Sequence, residues 1–253
     1  MGRRNRLRDR TREATAYGAW CSIPGPAIAE FSAIADPDYV CIDCQHGLVD
    51  YTSLVPMLQA MARFDVTAVV RVASQDPAGI GKALDAGAEA VIVPMVDSRE
   101  AAARAAASCR FPPRGTRSYG PTRAAPMFGP DIGALNDHVL CLVMIETEEG
   151  VANADEIAAT PGVDGVYIGP ADLAISLGET PGGLIPGRHA SAVEHILSRC
   201  RAHGIIPGIH AYDGATARQY STMGFRMITC AGDLRLLRDG VARELGVARH
   251  PGS

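Results

Sequence analysis

Two carboxylates stand at matching places in this chain. Cys141-Leu142-Val143-Met144-Ile145-Glu146-Thr147 is an apolar run that ends in an acid ahead of a helix-like segment. Gly165-Val166-Tyr167-Ile168-Gly169-Pro170-Ala171-Asp172-Leu173 is a second run, stopping at Gly-Pro and delivering its acid into the start of a helix. Acids at the carboxyl ends of neighbouring strands clamp a hard divalent cation, which takes carboxylate and water oxygens and keeps positions open for substrate. Glu146 and Asp172 are therefore expected to bind Mg2+, Mn2+ or Co2+. An acid near a helix start is also a common cap, a role that Asp172 fits equally well. The backbone amides of Ala171 and Asp172 sit where a helix N-terminus takes a carboxylate, which favours an anionic substrate such as a 2-oxo acid.

Other strand ends add to this set. Asp43 and His46 follow the second apolar run, Arg71 ends the third, and His210 and Asp233 follow the seventh and eighth. An arginine at such a place is either a salt-bridge partner or the fixed donor for charge developing on an enolate oxygen beside a metal. His46 has the side chain whose ordinary pKa suits a general base near neutrality, although an isolated loop histidine is more often simply exposed. His210 is read as a core histidine or one standing behind the site.

These residues need a frame that brings strand ends together. Eight β-rich apolar runs alternate with segments of helical period: 17–21, 39–43, 67–72, 90–94, 140–145, 165–168, 205–210 and 227–231. Runs without alternation are buried on both faces, and strict β-then-α order makes a parallel sheet. Eight repeats predict a closed (β/α)8 TIM barrel, an α/β fold in one domain over residues 16–248, preceded by a basic arm or short helix at 1–15. A doubly wound open sheet is the competitor, but no G-x-G-x-x-G follows the first strand. Helices are expected at 76–86, 98–109 and 213–223. Two long Gly/Pro-rich connections, 110–130 and 177–188, are candidates for the rim of the pocket.

Composition is ordinary for a soluble globular protein. The 253 residues are 47% hydrophobic and 21% charged with a net charge of -4, which argues against a nucleic-acid partner. No stretch approaches the length of a membrane span. The seven cysteines are odd in number and scattered through apolar runs, as expected of buried thiols in the cytoplasm rather than of a disulfide framework. Cys41 and Cys44, three apart on a strand, point opposite ways and make a poor zinc pair. Six arginines fall within the first dozen residues with no apolar segment after them, so this is not a secretory signal.

With these residues placed, the chain resembles the HpcH/HpaI family of metal-dependent pyruvate aldolases, of the 4-hydroxy-2-oxoheptanedioate aldolase type, from about residue 18 to 245. The marks are Ile145-Glu146-Thr147, Gly162-Val163-Asp164-Gly165 with Gly169-Pro170-Ala171-Asp172-Leu173, Asp43-x-x-His46 with Arg71, and Arg117-Ser118-Tyr119-Gly120-Pro121, which looks like the family's loop after strand four. The resemblance implies a class II aldolase that makes or cleaves 4-hydroxy-2-oxo acids through a pyruvate enolate, giving pyruvate and an aldehyde. In it Glu146 and Asp172 bind the metal, His46 serves as base and acid, and Arg71 stabilises the enolate. Asp85 matches an acid that raises the basicity of that histidine. Gly169, Pro170, Ala171, Asp172, Arg71 and Met144 border the 2-oxo acid. A homo-oligomer is also implied, a hexamer built as a trimer of dimers with an exchanged C-terminal helix.

Two departures stand out. Met144 replaces a glutamine, and Gln45-His46-Gly47-Leu48 replaces Glu-His-Ala-Pro. Neither removes a metal ligand, so both bear on the substrate rather than on the reaction. The same enolate would serve an oxaloacetate decarboxylase or a biosynthetic carbon-carbon bond-forming enzyme. A CoA-thioester lyase and a catalytically silent barrel subunit are the remaining readings.

Overall fold

The computed structural model describes residues 5–182 and 186–249, and in it eight parallel strands close into a barrel in sequence order. The strands are β1 (Ala16–Cys21), β2 (Tyr39–Asp43), β3 (Thr67–Arg71), β4 (Ala90–Val93), β5 (Leu140–Ile145), β6 (Gly165–Ile168), β7 (Ile206–His210) and β8 (Met227–Gly232). The β8 edge pairs with β1 and completes the ring. The fold class read from the sequence is the one observed.

The period-two geometry of a strand sorts each apolar run into two cores. Tyr39, Cys41, Val69, Leu140, Leu142, Met144 and Tyr167 point into the barrel, together with Trp20. Their neighbours Val40, Ile42, Val70, Cys141, Val143 and Ile145 point outward against the surrounding helices. Close fit in the interior explains one glycine. A Cβ on Gly18 would lie 2.2 Å from the Tyr39 ring, so the tyrosine fills the space a side chain there would need. Tyr39 and Tyr167 both place their hydroxyls on Thr229, at 2.9 and 2.7 Å, and so satisfy the polar groups that this interior buries.

The inward positions at the carboxyl ends of the strands form the top layer, and there the sequence turns polar: Asp43, Arg71, Glu146 and His210. The base is closed by the helix Arg6–Glu13. Asn5 caps it by accepting from the Arg8 N–H, and the Asn5 amide donates to the Glu89 and His138 carbonyls at 2.9 and 2.8 Å. Leu7 is fully buried among the interior residues. Residues 6–13 of the arginine-rich start thus form a short packed helix.

One loop expectation fails. The connection 110–130 follows the helix Arg99–Ser108 and leads toward β5, so it runs along the base of the barrel and cannot rim the mouth of its own barrel. A strand-to-helix connection lies at the mouth, a helix-to-strand connection at the base, and this one is of the second kind. The other, 177–188, lies between the helices Pro170–Ser176 and Arg188–His203, on the mouth side by chain order; residues 183–185 lie outside the described residues. The last helix, Asp233–Arg249, buries no residue and leaves Leu234, Leu237, Val241 and Leu245 exposed along one stripe. All seven cysteines are free, and among the described residues no helix is long and apolar enough to cross a membrane.

Candidate active site

One cavity of about 320 Å³ opens at the carboxyl ends of the strands, and it is lined by His46, Arg71, Met144, Gly169, Pro170, Ala171 and Asp172. Seven of the nine residues assigned from the sequence therefore meet at one place.

Glu146, the eighth, lies directly beneath Gly169. It follows β5 and is 1% exposed. The Met95 N–H donates to its Oε1 at 2.8 Å, and Oε2 is buried without a hydrogen-bond partner. Met95 can aim its amide this way because its backbone adopts φ +56°, an unusual conformation for a residue with a side chain. A Cβ on Gly169 would stand 2.4 Å from Oε2, so the glycine keeps clear the space around the unpartnered oxygen. Burial pushes the Glu146 carboxyl up to about 7, the Met95 N–H opposes this, and the Asp172 charge adds to it. Neither acid has a salt-bridge partner among the described residues. A buried, unpartnered carboxylate oxygen close to a second carboxylate is expensive unless a cation neutralises both. The donor set, two carboxylates with room for water, fits a divalent ion of the Mg2+ type.

Asp172 is the third residue of the helix Pro170–Ser176, whose N-cap is Gly169, and no side chain caps that helix. The capping role is therefore not the one Asp172 plays. It leaves the first N–H groups of the turn, including those of Ala171 and Asp172, without an intrahelical acceptor.

Arg71 is held by Asp43, its neighbour in register across the β2–β3 pair. Nε donates to Oδ1 at 2.8 Å and Nη2 to Oδ2 at 2.6 Å, a bidentate pair that fixes the guanidinium. The Trp20 ring lies beneath it, 4.9 Å from Cζ, and donates its own Nε1–H to Asp43. Burial opposes the Arg71 charge, yet Asp43 holds the guanidinium above its ordinary value. Burial likewise works to raise the Asp43 carboxyl, and Arg71 with the Gln45 and His46 amides brings it below the ordinary carboxylate range. Asp43 therefore organises both Arg71 and the loop that carries His46. At Gly47 a Cβ would stand 2.1 Å from the Asp43 carbonyl oxygen, so this tight turn, with Gly where the resemblance has Ala, is matched to its glycine.

Asp85, the ninth, is not brought to the cavity. It ends the helix Pro77–Asp85, at the base, where Arg117 donates to its Oδ1 at 2.6 Å. Within one copy of the chain Asp85 does not touch His46. His210, expected in the core or behind the site, lines the cavity instead and meets Trp20 edge-on at 5.1 Å. Burial and the Arg71 charge push its imidazole down to about 4. Sequence reading also gave no role to Asp43, Trp20 or Met95. The Asp43–Arg71 register could have been found by aligning two strand ends, and Trp20 is the chain's one tryptophan; nothing in the residue type of Met95 announces its backbone.

Fold and site together define a barrel lyase of the aldolase kind. The chain belongs to the HpcH/HpaI aldolase/citrate lyase family, whose model matches residues 16–240. It is 39% identical over 238 residues to the hydroxypyruvate/pyruvate aldolase of Rhizorhabdus wittichii, covering 92% of this chain and 94% of that protein. It is 37% identical over 229 residues to the 5-keto-4-deoxy-D-glucarate aldolase of Salmonella arizonae, covering 89% of each. Among solved structures, an HpcH/HpaI aldolase/citrate lyase family protein from Burkholderia cenocepacia superposes with a TM-score of 0.90 at 36% identity, over 97% of this chain and 100% of that one. Class II aldolases of this family generally depend on a divalent metal.

Proposed function

We propose that this aldolase makes or cleaves 4-hydroxy-2-oxo acids through the enolate of pyruvate or a close 2-oxo acid, with Glu146 and Asp172 holding the divalent ion. The observation that carries this reading is the unpartnered Glu146 Oε2, buried near a second carboxylate on the wall of a cavity that also contains Arg71 and His46. When bound, the ion supplies Lewis acidity to the 2-oxo carbonyl.

The chain's own groups do the rest. Arg71 spends two of its donors on Asp43 and keeps the others for the cavity, so it meets negative charge growing on the 2-oxo oxygen with no reorganisation. The uncapped N–H groups at Ala171 and Asp172 receive the substrate carboxylate. In the cleavage direction His46 takes the proton of the C4 hydroxyl, the C3–C4 bond breaks, the aldehyde leaves, and the enolate regains a proton at C3 to give pyruvate. Met144 offers only a thioether to the bound acid, so that side of the pocket holds its ligand by contact rather than by hydrogen bonding.

Asp85 enters this scheme only through a second copy, since its own chain places it at the base. A homo-oligomer, as a hexamer of exchanged C-terminal helices, is supported by the exposed Leu234–Leu245 stripe. Seven free thiols support a reducing compartment such as the cytoplasm. Purified protein incubated with pyruvate, an aldehyde panel and Mg2+, Mn2+ or Co2+ should yield aldol product that disappears with EDTA. Failure to form product with any of the three metals would refute the assignment.

A further inference from the structure

A second polar recess lies at the end of the barrel away from the mouth. A cavity of about 190 Å³ opens between the helix Arg6–Glu13 and the residues that lead into β6, β7 and β8. These are the amino ends of the strands, so the recess belongs to the base. Arg8, Thr11 and Arg12 line it from the helix, Asp164 from ahead of β6 and Arg226 from ahead of β8.

Helical spacing brings two of the three arginines together. Arg8 and Arg12 are four residues apart with Thr11 three after Arg8, so all three share one face. The acids of the same helix, Asp9 and Glu13, each follow an arginine by one position and do not line the cavity. Arg226 comes from a separate element. Its N–H donates to the Pro207 carbonyl at 2.9 Å and its carbonyl accepts from the Ala16 N–H at 2.8 Å, which pins it between the starts of β7 and β1.

The one carboxylate that lines the recess is already committed. Asp164 accepts from Arg8 at 2.8 Å, from Arg110 at 2.7 Å and from the Cys141 N–H at 2.8 Å. Arg12 and Arg226 are exposed, and neither guanidinium has a hydrogen bond or an ion pair among the described residues. Donors are in surplus behind them as well: Arg8 Nε and the Nε and Nη1 of Arg110 are buried without a partner. A recess with more guanidinium donors than acceptors suits a compact dianion, and the guanidinium fork matches the oxygens of a phosphate. We propose that the base carries an anion site in which Arg12 and Arg226 bind a phosphate group, free or at the end of a small phosphate monoester, with Arg8 behind it. A bound phosphate bridges the first helix to the start of β8, beside the seam where β8 closes onto β1, and so stabilises the folded barrel. Nothing at the mouth enters this assignment, and it stands or falls apart from the enolate reading.

Calorimetry with inorganic phosphate and with glycerol 3-phosphate, at constant ionic strength in chloride, tests it. Wild type should bind both, and the tighter of the two identifies the free or the esterified form as the better ligand. Arg12→Gln combined with Arg226→Gln should weaken binding at least about tenfold, each substitution alone by less, and lysine at both positions should restore part of it. Since both side chains are exposed and partnerless, the double variant should keep the wild-type urea midpoint without phosphate. Phosphate should raise that midpoint in the wild type and leave it unmoved in the double variant. EDTA and Arg71→Lys, which alter the mouth, should leave phosphate binding unchanged. No binding by the wild type, binding undiminished in the double variant, or binding lost in EDTA or in Arg71→Lys overturns the assignment.

Discussion

The mouth and the base of this barrel are built from the same kinds of side chain, arranged to opposite ends. At the base Asp164 accepts from Arg8 at 2.8 Å and Arg110 at 2.7 Å, while His138 Nε2 stands 3.0 Å from a Glu89 carboxylate oxygen, so each of these polar groups has a partner. At the mouth the Asp43–Arg71 pair is just as complete, but beside it Glu146 and Asp172 have no salt-bridge partner among the described residues. Neutralised charges hold helix and strands together; the unneutralised pair is what a metal and an anionic substrate can complete.

Breaking each region should have a different signature. The largest effect is expected at the mouth: Glu146→Gln or Asp172→Asn should lower metal-dependent turnover by roughly a hundredfold to a thousandfold, and metal titration by calorimetry should show the affinity lost. At the base, Asp164→Asn should leave two guanidinium groups short of a partner and cost about 3 kcal/mol in denaturant unfolding, with kcat of the folded protein retained.

A pH series sharpens the contrast. In metal-free protein the Glu146 carboxyl is raised to about 7 by burial, so its neutral form is favoured in the folded state. Stability from this group is fully present below the unfolded value near 4.5 and declines as pH climbs through about 7, by up to roughly 3 kcal/mol. Urea melts in EDTA across that window should show the decline, and Glu146→Gln should flatten it. The smallest effect is reserved for Met144→Gln, which restores a donor beside the 2-oxo acid and should lower the pyruvate KM about two- to tenfold.

The strands were legible because burial on both faces leaves an uninterrupted apolar run, and Glu146, Asp172, Arg71 and His46 were legible because they sit where such runs stop. The 110–130 connection was misjudged by position rather than by chemistry. It lies where a helix, not a strand, ends, and the order of elements assigns that end to the base. The left-handed Met95 amide leaves no trace in residue type, since its geometry is imposed by what it must reach.

The central claim is that the mouth enolises a 2-oxo acid with the help of a divalent ion and a guanidinium held by Asp43. Exchange of pyruvate methyl protons into deuterated water, followed by NMR for wild type and Arg71→Lys with and without EDTA, tests it most directly. The account predicts metal-dependent exchange in the wild type, its loss in EDTA, and a rate at least about a hundredfold lower in Arg71→Lys, whose point charge cannot reproduce the bidentate, positioned fork. Exchange that persists in EDTA, or that proceeds undiminished in Arg71→Lys, would contradict it.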